Sequence, residues 1–432
     1  MLGRIEGQNQ SKSQIESGPV FSVKDPVVPG RLSLITQAIE ALDNRSMPPP
    51  VYLDYNGTTP LDSRVIAAMM PYLSVEFGNP SSAHWYGIKP KQALIKARGQ
   101  VADLIGCRPD EIIFTSGGTE SNNHAIKGIA LSRRDRGNHI ITSRIEHPAV
   151  LEVCRSLENS GFQITRISPD RYGRLDVHEI ERAIRPETIL ITIMHANNEV
   201  GTIQPVSEIA RLARKKGIAM HSDAAQSIGK IPVRVGDLGV DLLSIAGHKF
   251  YAPKGIGALY IRSGVSVSRL IHGAGQEGGK RAGTENILEI VGLGEAAAIA
   301  SRDLEENARQ MRSMRDQLLS CLRQRLPEIR VNGNLECCLP NTLHVSFPGV
   351  EAGPLLERIG LDVAASPGAA CHSDSASISH VLAAMRIPPD LARCGVRFST
   401  GRMTTKEDIL KASEIIADAV MQTPHPPSAG RH

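Results

Sequence analysis

Lys249 closes an apolar run, Asp241-Leu242-Leu243-Ser244-Ile245-Ala246, behind an abrupt Gly247-His248. A lysine set against a buried-looking strand has its pKa depressed by desolvation, and a neutral amine can condense with a carbonyl to form a Schiff base. Asp223, in His221-Ser222-Asp223-Ala224-Ala225-Gln226, stands at the end of the preceding strand candidate. A carboxylate there can pair with a protonated ring nitrogen and keep that ring electron-poor, and open α/β sheets place ligands beyond the carboxyl ends of their strands. Further upstream, Ser116-Gly117-Gly118-Thr119-Glu120-Ser121-Asn122 follows a strand candidate and opens a helical stretch. Its glycines let backbone N–H groups approach a phosphate, Thr119 adds a hydroxyl, and a helix N-terminus supplies positive potential. Near the other end, Ala364-Ala365-Ser366-Pro367-Gly368-Ala369-Ala370-Cys371-His372-Ser373-Asp374 is a loop of small residues suited to carrying a reactive thiol. His372 is placed to lower the Cys371 pKa when protonated or to accept its proton. Taken singly, each segment also fits a plainer role: a solvated lysine, a polar strand end, an N-capped loop, an inert cysteine.

The elements that must position these residues follow from the alternation of the rest of the chain. Short β-branched runs (Glu111–Thr115, His139–Thr142, Thr188–Ile193, Gly217–His221) are separated by helical stretches. That pattern predicts an α/β layer structure with a mostly parallel sheet. Near Leu304 the texture changes to a charged amphipathic helix through Leu326, stopped by Pro327 and followed by shorter strand candidates such as Asn341–Phe347. With 432 residues the chain exceeds what one core usually serves. The expected division is a flexible N-terminal arm over 1–50, a large domain over 51–304 with 51–65 packing on the small domain, a small C-terminal domain over 305–422 carrying the Cys371 loop, and a disordered tail over 423–432.

Composition narrows the partners. The 49 basic and 45 acidic residues give a formal charge of only +4, and aromatics make up 3%. There is no basic run interleaved with aromatics, so neither a nucleic-acid platform nor any particular polyanion is indicated. A small molecule is the expected partner. No apolar stretch reaches the roughly 20 residues of a membrane helix, and the acidic residues of the first fifty argue against an organelle presequence. Seven scattered cysteines without a C-x-x-C suggest neither a disulfide framework nor a metal cage, which fits reduced thiols in the cytosol.

Taken together and in order, these segments resemble the group I, NifS/IscS-like cysteine desulfurases and the selenocysteine lyases, members of the fold-type I superfamily of pyridoxal 5′-phosphate (PLP) enzymes. The resemblance covers roughly residues 51–420. It runs through Leu53-Asp54-Tyr55-Asn56-Gly57-Thr58-Thr59-Pro60, Gly78-Asn79-Pro80-Ser81-Ser82, Thr115–Asn123, Glu146-His147, Ala196-Asn197-Asn198-Glu199, His221–Gln226, Gly247-His248-Lys249 and Arg281-Ala282-Gly283-Thr284-Glu285-Asn286. It implies a large domain built on a mostly parallel seven-stranded sheet plus a smaller α+β domain. It also implies that Lys249 carries PLP, that Asp223 faces the pyridine nitrogen and that His147 stacks on the ring. Asn198 and Gln226 would touch the phenolic oxygen region. Gly118, Thr119 and His248 would bind the phosphate, with Thr284 reaching it from a neighbouring subunit of a homodimer. Arg397, with Asn56, would bind the amino-acid substrate, the guanidinium fork matching its carboxylate.

Two positions depart from the family pattern. Ala246 stands where many members have a phosphate-binding hydroxyl, and Ala252 where glycine is common. The implied reaction gives alanine from the substrate after Lys249 removes the α-proton, with Cys371 either taking the chalcogen as a persulfide or donating a proton. Gly368–Asp374 is closer to the selenocysteine lyase loop than to the bacterial desulfurase loop, so selenocysteine is the expected substrate. The alternative is a cysteine desulfurase delivering sulfur to an acceptor protein. An aminotransferase would keep Lys249 and Asp223 but have no use for Cys371, and a silent binding protein would have no use for either set.

Overall fold

The computed structural model describes residues 49–367 and 378–423. Nearly all of the arm expected over 1–50, nearly all of the tail, and the loop residues Gly368–Asp374, including Cys371 and His372, lie outside the described residues.

Among the described residues twelve strands form three sheets: β1 Val51–Tyr52, β2 Ile112–Thr115, β3 His139–Ser143, β4 Gln163–Ile167, β5 Thr188–Thr192, β6 Ala219–Asp223, β7 Leu242–Ala246, β8 Gly257–Ile261, β9 Arg330–Val331, β10 Thr342–Ser346, β11 Val363–Ala364 and β12 Gly395–Ser399. The main sheet has seven strands in the order β2-β8-β7-β6-β5-β3-β4. Only β8 runs antiparallel to its neighbours; the remaining pairs are parallel.

Side chains alternate across a strand, and here consecutive residues feed different cores. Phe114, Ile141, Ile191, Met220 and Leu243 face a layer formed by the helices Trp85–Ile105, Val206–Lys215 and the start of Ile287–Arg325. Their neighbours Ile113, Ile140, Leu190, Ala219 and Leu242 face the helices Gly118–Ser132 and Pro148–Glu158. A strand buried on both faces must be apolar throughout, which is why these runs stand out in the sequence.

A separate cluster brings Leu318 and Leu322 together with Leu343, Val345, Val396, Phe398, Ile409 and Ile416 around the antiparallel sheet β12-β10-β9. Val51 and Leu53 join it, and β1 pairs with β11. The long helix differs from expectation: it begins at Ile287 rather than near Leu304 and runs unbroken to Arg325, 39 residues. Its first half is small and buried on several sides, so it lacks the amphipathic stripe that marked the second half. Gly292 and Gly294 let it approach its neighbours; a Cβ at Gly294 would stand 2.6 Å from the Ala97 backbone. Gly294→Ala is therefore expected to lower the thermal midpoint, by the roughly 1–3 kcal/mol of an overpacked contact, despite alanine's better helix propensity.

Candidate active site

Strand β6 ends on Asp223 and the adjacent parallel strand β7 ends on Ala246, so the chain delivers Asp223 and the Gly247–Lys249 turn to the same edge of the sheet. The Asp223 carboxylate is buried and accepts from Asn122 Nδ2 at 2.7 Å and from the Ala225 N–H at 2.9 Å. Two donors hold it in a fixed orientation.

The turn around Lys249 is clamped by Thr59, whose hydroxyl donates to the His248 carbonyl at 3.0 Å and accepts from the Tyr251 N–H at 2.7 Å. Tyr251 adopts a left-handed backbone (φ 70°), a conformation that a bulky residue tolerates only when its surroundings hold it there. Lys249 Nζ donates to the carbonyls of Asn56 and Gly57, both at 2.7 Å. The Asn56 carbonyl also accepts from Gln226 Nε2 at 3.0 Å. Asn56 is buried, and its Nδ2 donates to Thr342 Oγ1 at 2.8 Å.

His147 caps the helix Pro148–Glu158, its Nδ1 accepting from the Ala149 N–H at 3.1 Å. Desolvation in the crevice holds its pKa below the ordinary imidazole value, opposed by Asp223. The neutral ring therefore carries its proton on Nε2. His248 Nδ1 pairs with Thr58 Oγ1 at 3.1 Å, and burial followed by the Lys249 charge lowers its pKa to about 4.

The helix Gly118–Ser132 begins after Gly117, at φ 145°. Its first-turn N–H groups have no intrahelical acceptor, which leaves Gly118 and Thr119 available to an anion. A Cβ on Gly118 would come within 3.1 Å of the Ala246 side chain, so Ala246 lines this cradle without offering a hydroxyl. Glu120, in the same turn, is tied to Arg281 Nε at 2.9 Å, which offsets the acid beside the anion site.

Arg397, on β12, is 1% exposed. Its Nη2 donates to Asp54 Oδ1 at 2.7 Å and its Nη1 to the Asn198 carbonyl at 2.9 Å, while Nε has no partner among the described residues. Thus Asn56, Gly118, His147, Asn198, Asp223, Gln226, His248, Lys249 and Arg397 are drawn to one region, with Thr119 beside Gly118. Thr284 is exposed on the loop that begins with Arg281.

These residues fit PLP. A held, buried carboxylate suits a protonated pyridine nitrogen, a lysine sits at the adjacent strand end, and a glycine-opened helix start suits a phosphate. Among the described residues Asn122 Oδ1 and Arg397 Nε are buried without partners, which calls for a group that would satisfy them. Asn122, Asp54 and Lys230 were given no role by sequence reasoning. Of these only Lys230 carries a local signal, its spacing of four from Gln226 within one turn segment.

Behind His147, Glu146 is fully buried and both its oxygens accept from the Met194 N–H, at 3.1 and 3.0 Å. Burial pushes its pKa up to about 8. A carboxyl whose folded pKa lies above its unfolded value makes the fold less stable as pH rises between the two, here from about 4.5 to about 8. Glu146→Gln is expected to flatten the fall in thermal midpoint across that window in a pH series.

The chain is similar to known proteins over most of its length. The model of the family described as aminotransferase class-V matches residues 51–411. The cysteine desulfurase IscS of Dictyoglomus turgidum is 49% identical over 360 residues, 83% of this chain and 91% of that protein. The cysteine desulfurase IscS of Methanosarcina thermophila is 46% identical, covering 86% and 92%. Among solved structures, a NifS-like protein superposes with a TM-score of 0.81 at 39% identity over 86% of this chain and 99% of that one. SspA in complex with cysteine gives 0.72 at 39% identity over 82% and 99%.

Proposed function

The chain belongs to the aminotransferase class V family of PLP-dependent enzymes, and on that premise we propose that it is a cysteine desulfurase, converting L-cysteine to L-alanine and leaving the sulfur on Cys371. The observation that carries the substrate is the 49% identity, over 83% of the chain, to a cysteine desulfurase. The expectation of selenocysteine rested on the wording of Gly368–Asp374, a narrower basis than that extended likeness. Cysteine is therefore the better supported reading.

Lys249 and Asp223 would hold PLP between them, with His147 against the ring, Asn198 and Gln226 at its phenolic oxygen, and Gly118, Thr119 and His248 at its phosphate. When bound, PLP supplies an electron sink for the substrate carbons. Arg397, with Asn56 beside it, orients the substrate carboxylate. The Lys249 amine, set just past the end of β7, would take the α-proton. The Cys371 thiolate attacks the substrate sulfur, forming an S–S bond as the Cβ–S bond breaks. The electron pair stays with the carbon fragment, and Cβ takes up a proton, so the carbon product is alanine and the sulfur remains as a persulfide. An acceptor protein or a small thiol then consumes that persulfide.

A homodimer is part of this reading. Thr284 is exposed, and Leu73, Val75, Phe77, Trp85 and Tyr86 present apolar surface to solvent. A second copy that covers this surface would bring Thr284 to the neighbouring phosphate site. Among the described residues, no helix is long and apolar enough to cross a membrane.

The test is Cys371→Ala. The variant is expected to keep its yellow colour and bound PLP, lose the persulfide seen by mass spectrometry on the wild type after exposure to cysteine, and release alanine at least about 10²-fold more slowly, as expected for loss of a catalytic nucleophile. Undiminished alanine release would remove Cys371 from the mechanism.

A further inference from the structure

Lys230 is 4% exposed and lies beneath the site, on the turn that follows Asp223. Its Nζ donates to Gln226 Oε1 and to Asn56 Oδ1, both at 2.9 Å. Among the described residues it forms no ion pair, and the charged groups facing it, Lys249 and Arg397, share its sign. Desolvation is the leading reason its pKa lies well below the ordinary lysine value, with those two charges adding to it. A buried amine without a carboxylate is costly, and a methionine would fill the same space without that cost.

The geometry points to what the amine does there. A side-chain amide can present either its oxygen or its nitrogen to a given neighbour, and the partner decides which. Lys230 is a donor to both amides, so the oxygens of Gln226 and Asn56 turn toward it. Asn341 Nδ2 donates to the same Asn56 oxygen at 2.9 Å, reinforcing that choice. The other end of Gln226, Nε2, is thereby turned toward the Asn56 carbonyl, which is also the acceptor for Lys249.

We propose that Lys230 is a positioning residue that fixes the Gln226 amide with its N–H₂ group, not its oxygen, toward the phenolic oxygen of PLP, and so sets the pH at which the Lys249–cofactor linkage takes up a proton. This rests on the PLP reading of the site. A donor on the phenolic oxygen stabilises that oxygen's negative charge and weakens its hold on the linkage proton. Losing the donor, or replacing it with an amide oxygen, strengthens that hold and raises the pH of deprotonation. Among the described residues the other titratable groups near the linkage are His147, His248 and Asp223, with Arg397 the nearby permanent charge. All four are unchanged in the variants below.

The experiment is a pH titration of the visible absorbance of the PLP-loaded protein, with PLP content and thermal midpoint measured alongside. Lys230→Met is expected to retain PLP and to move the spectral midpoint upward by about 0.5–1 pH unit, the size one net hydrogen bond produces. Gln226→Met should give the same shift, and the double variant no more than either alone. Lys230→Arg, which can only donate, should stay near the wild-type midpoint. A Lys230→Met midpoint equal to wild type, with only the thermal midpoint changed, would make Lys230 purely structural and overturn the proposal. If Lys230→Met does not fold, Gln226→Met carries the decision: an unmoved midpoint again overturns the proposal, and an upward shift absent from Lys230→Arg supports it. A wild-type protein with no borohydride-sensitive absorbance would instead sink the PLP reading, an outcome independent of any Lys230 variant.

Discussion

Lys249→Ala is expected to abolish the borohydride-sensitive yellow colour and to lower alanine release by about 10³-fold or more, combining the loss of a positioned base with the loss of the covalent anchor. The fold should survive. Lys249 is half-buried at the end of a turn that Thr59 clamps independently. Of the two carbonyls it bonds, Asn56 keeps Gln226 as a donor and Gly57 lies in a half-exposed loop. The stability loss should be about 1 kcal/mol, the net worth of an ordinary hydrogen bond. Lys249→Arg separates charge from chemistry, because it retains a cation and several donors but forms no stable Schiff base at neutral pH. It should be as colourless as the alanine variant. A coloured, active Lys249→Arg protein would place the covalent link elsewhere.

Arg397→Lys is expected to raise the KM for the amino-acid substrate by about 10–100-fold, the size of one or two lost charge-assisted hydrogen bonds, with a smaller effect on kcat. A point charge on a flexible stem cannot replace a planar fork that already spans Asp54 and the Asn198 carbonyl. Arg397→Met should add a loss of stability, because it leaves the Asp54 carboxylate without its partner. That loss is moderated because the Asp54 side chain is 25% exposed and water can take over part of the guanidinium's role. The measurement is steady-state kinetics together with thermal melts on both variants. An unchanged KM in Arg397→Lys would remove this residue from carboxylate binding.

Much of the frame was legible because burial on both faces forces a strand to be apolar throughout. Ile140 and Ile141 stand side by side in the sequence yet serve opposite layers of the sheet. The placement of Asp223 and Lys249 was legible for a related reason: a polar residue that closes such a run falls at or just past the strand terminus. The start of the long helix was not, because Ile287–Ala300 is buried on several sides and so carries no stripe to read.

The supporting contacts were illegible for a different reason. Asn122 and Asp223 are 101 positions apart, and Arg397 and Asp54 are 343 apart. Nothing local in either segment names its partner. Substrate choice was harder still, since sulfur and selenium occupy the same place on the same amino acid and differ mainly in acidity and bond strength. Loop wording pointed one way and similarity over 83% of the chain the other, and the broader similarity is the stronger guide.

The cysteine desulfurase reading is tested most directly by alanine release by the PLP-loaded protein from L-cysteine and from L-selenocysteine in parallel, under reductant, with Lys249→Ala as the control. Steady turnover of cysteine is expected, dependent on Lys249 and accompanied by persulfide on Cys371. Alanine from selenocysteine alone would contradict the cysteine desulfurase reading, and alanine from neither would contradict chalcogen removal altogether.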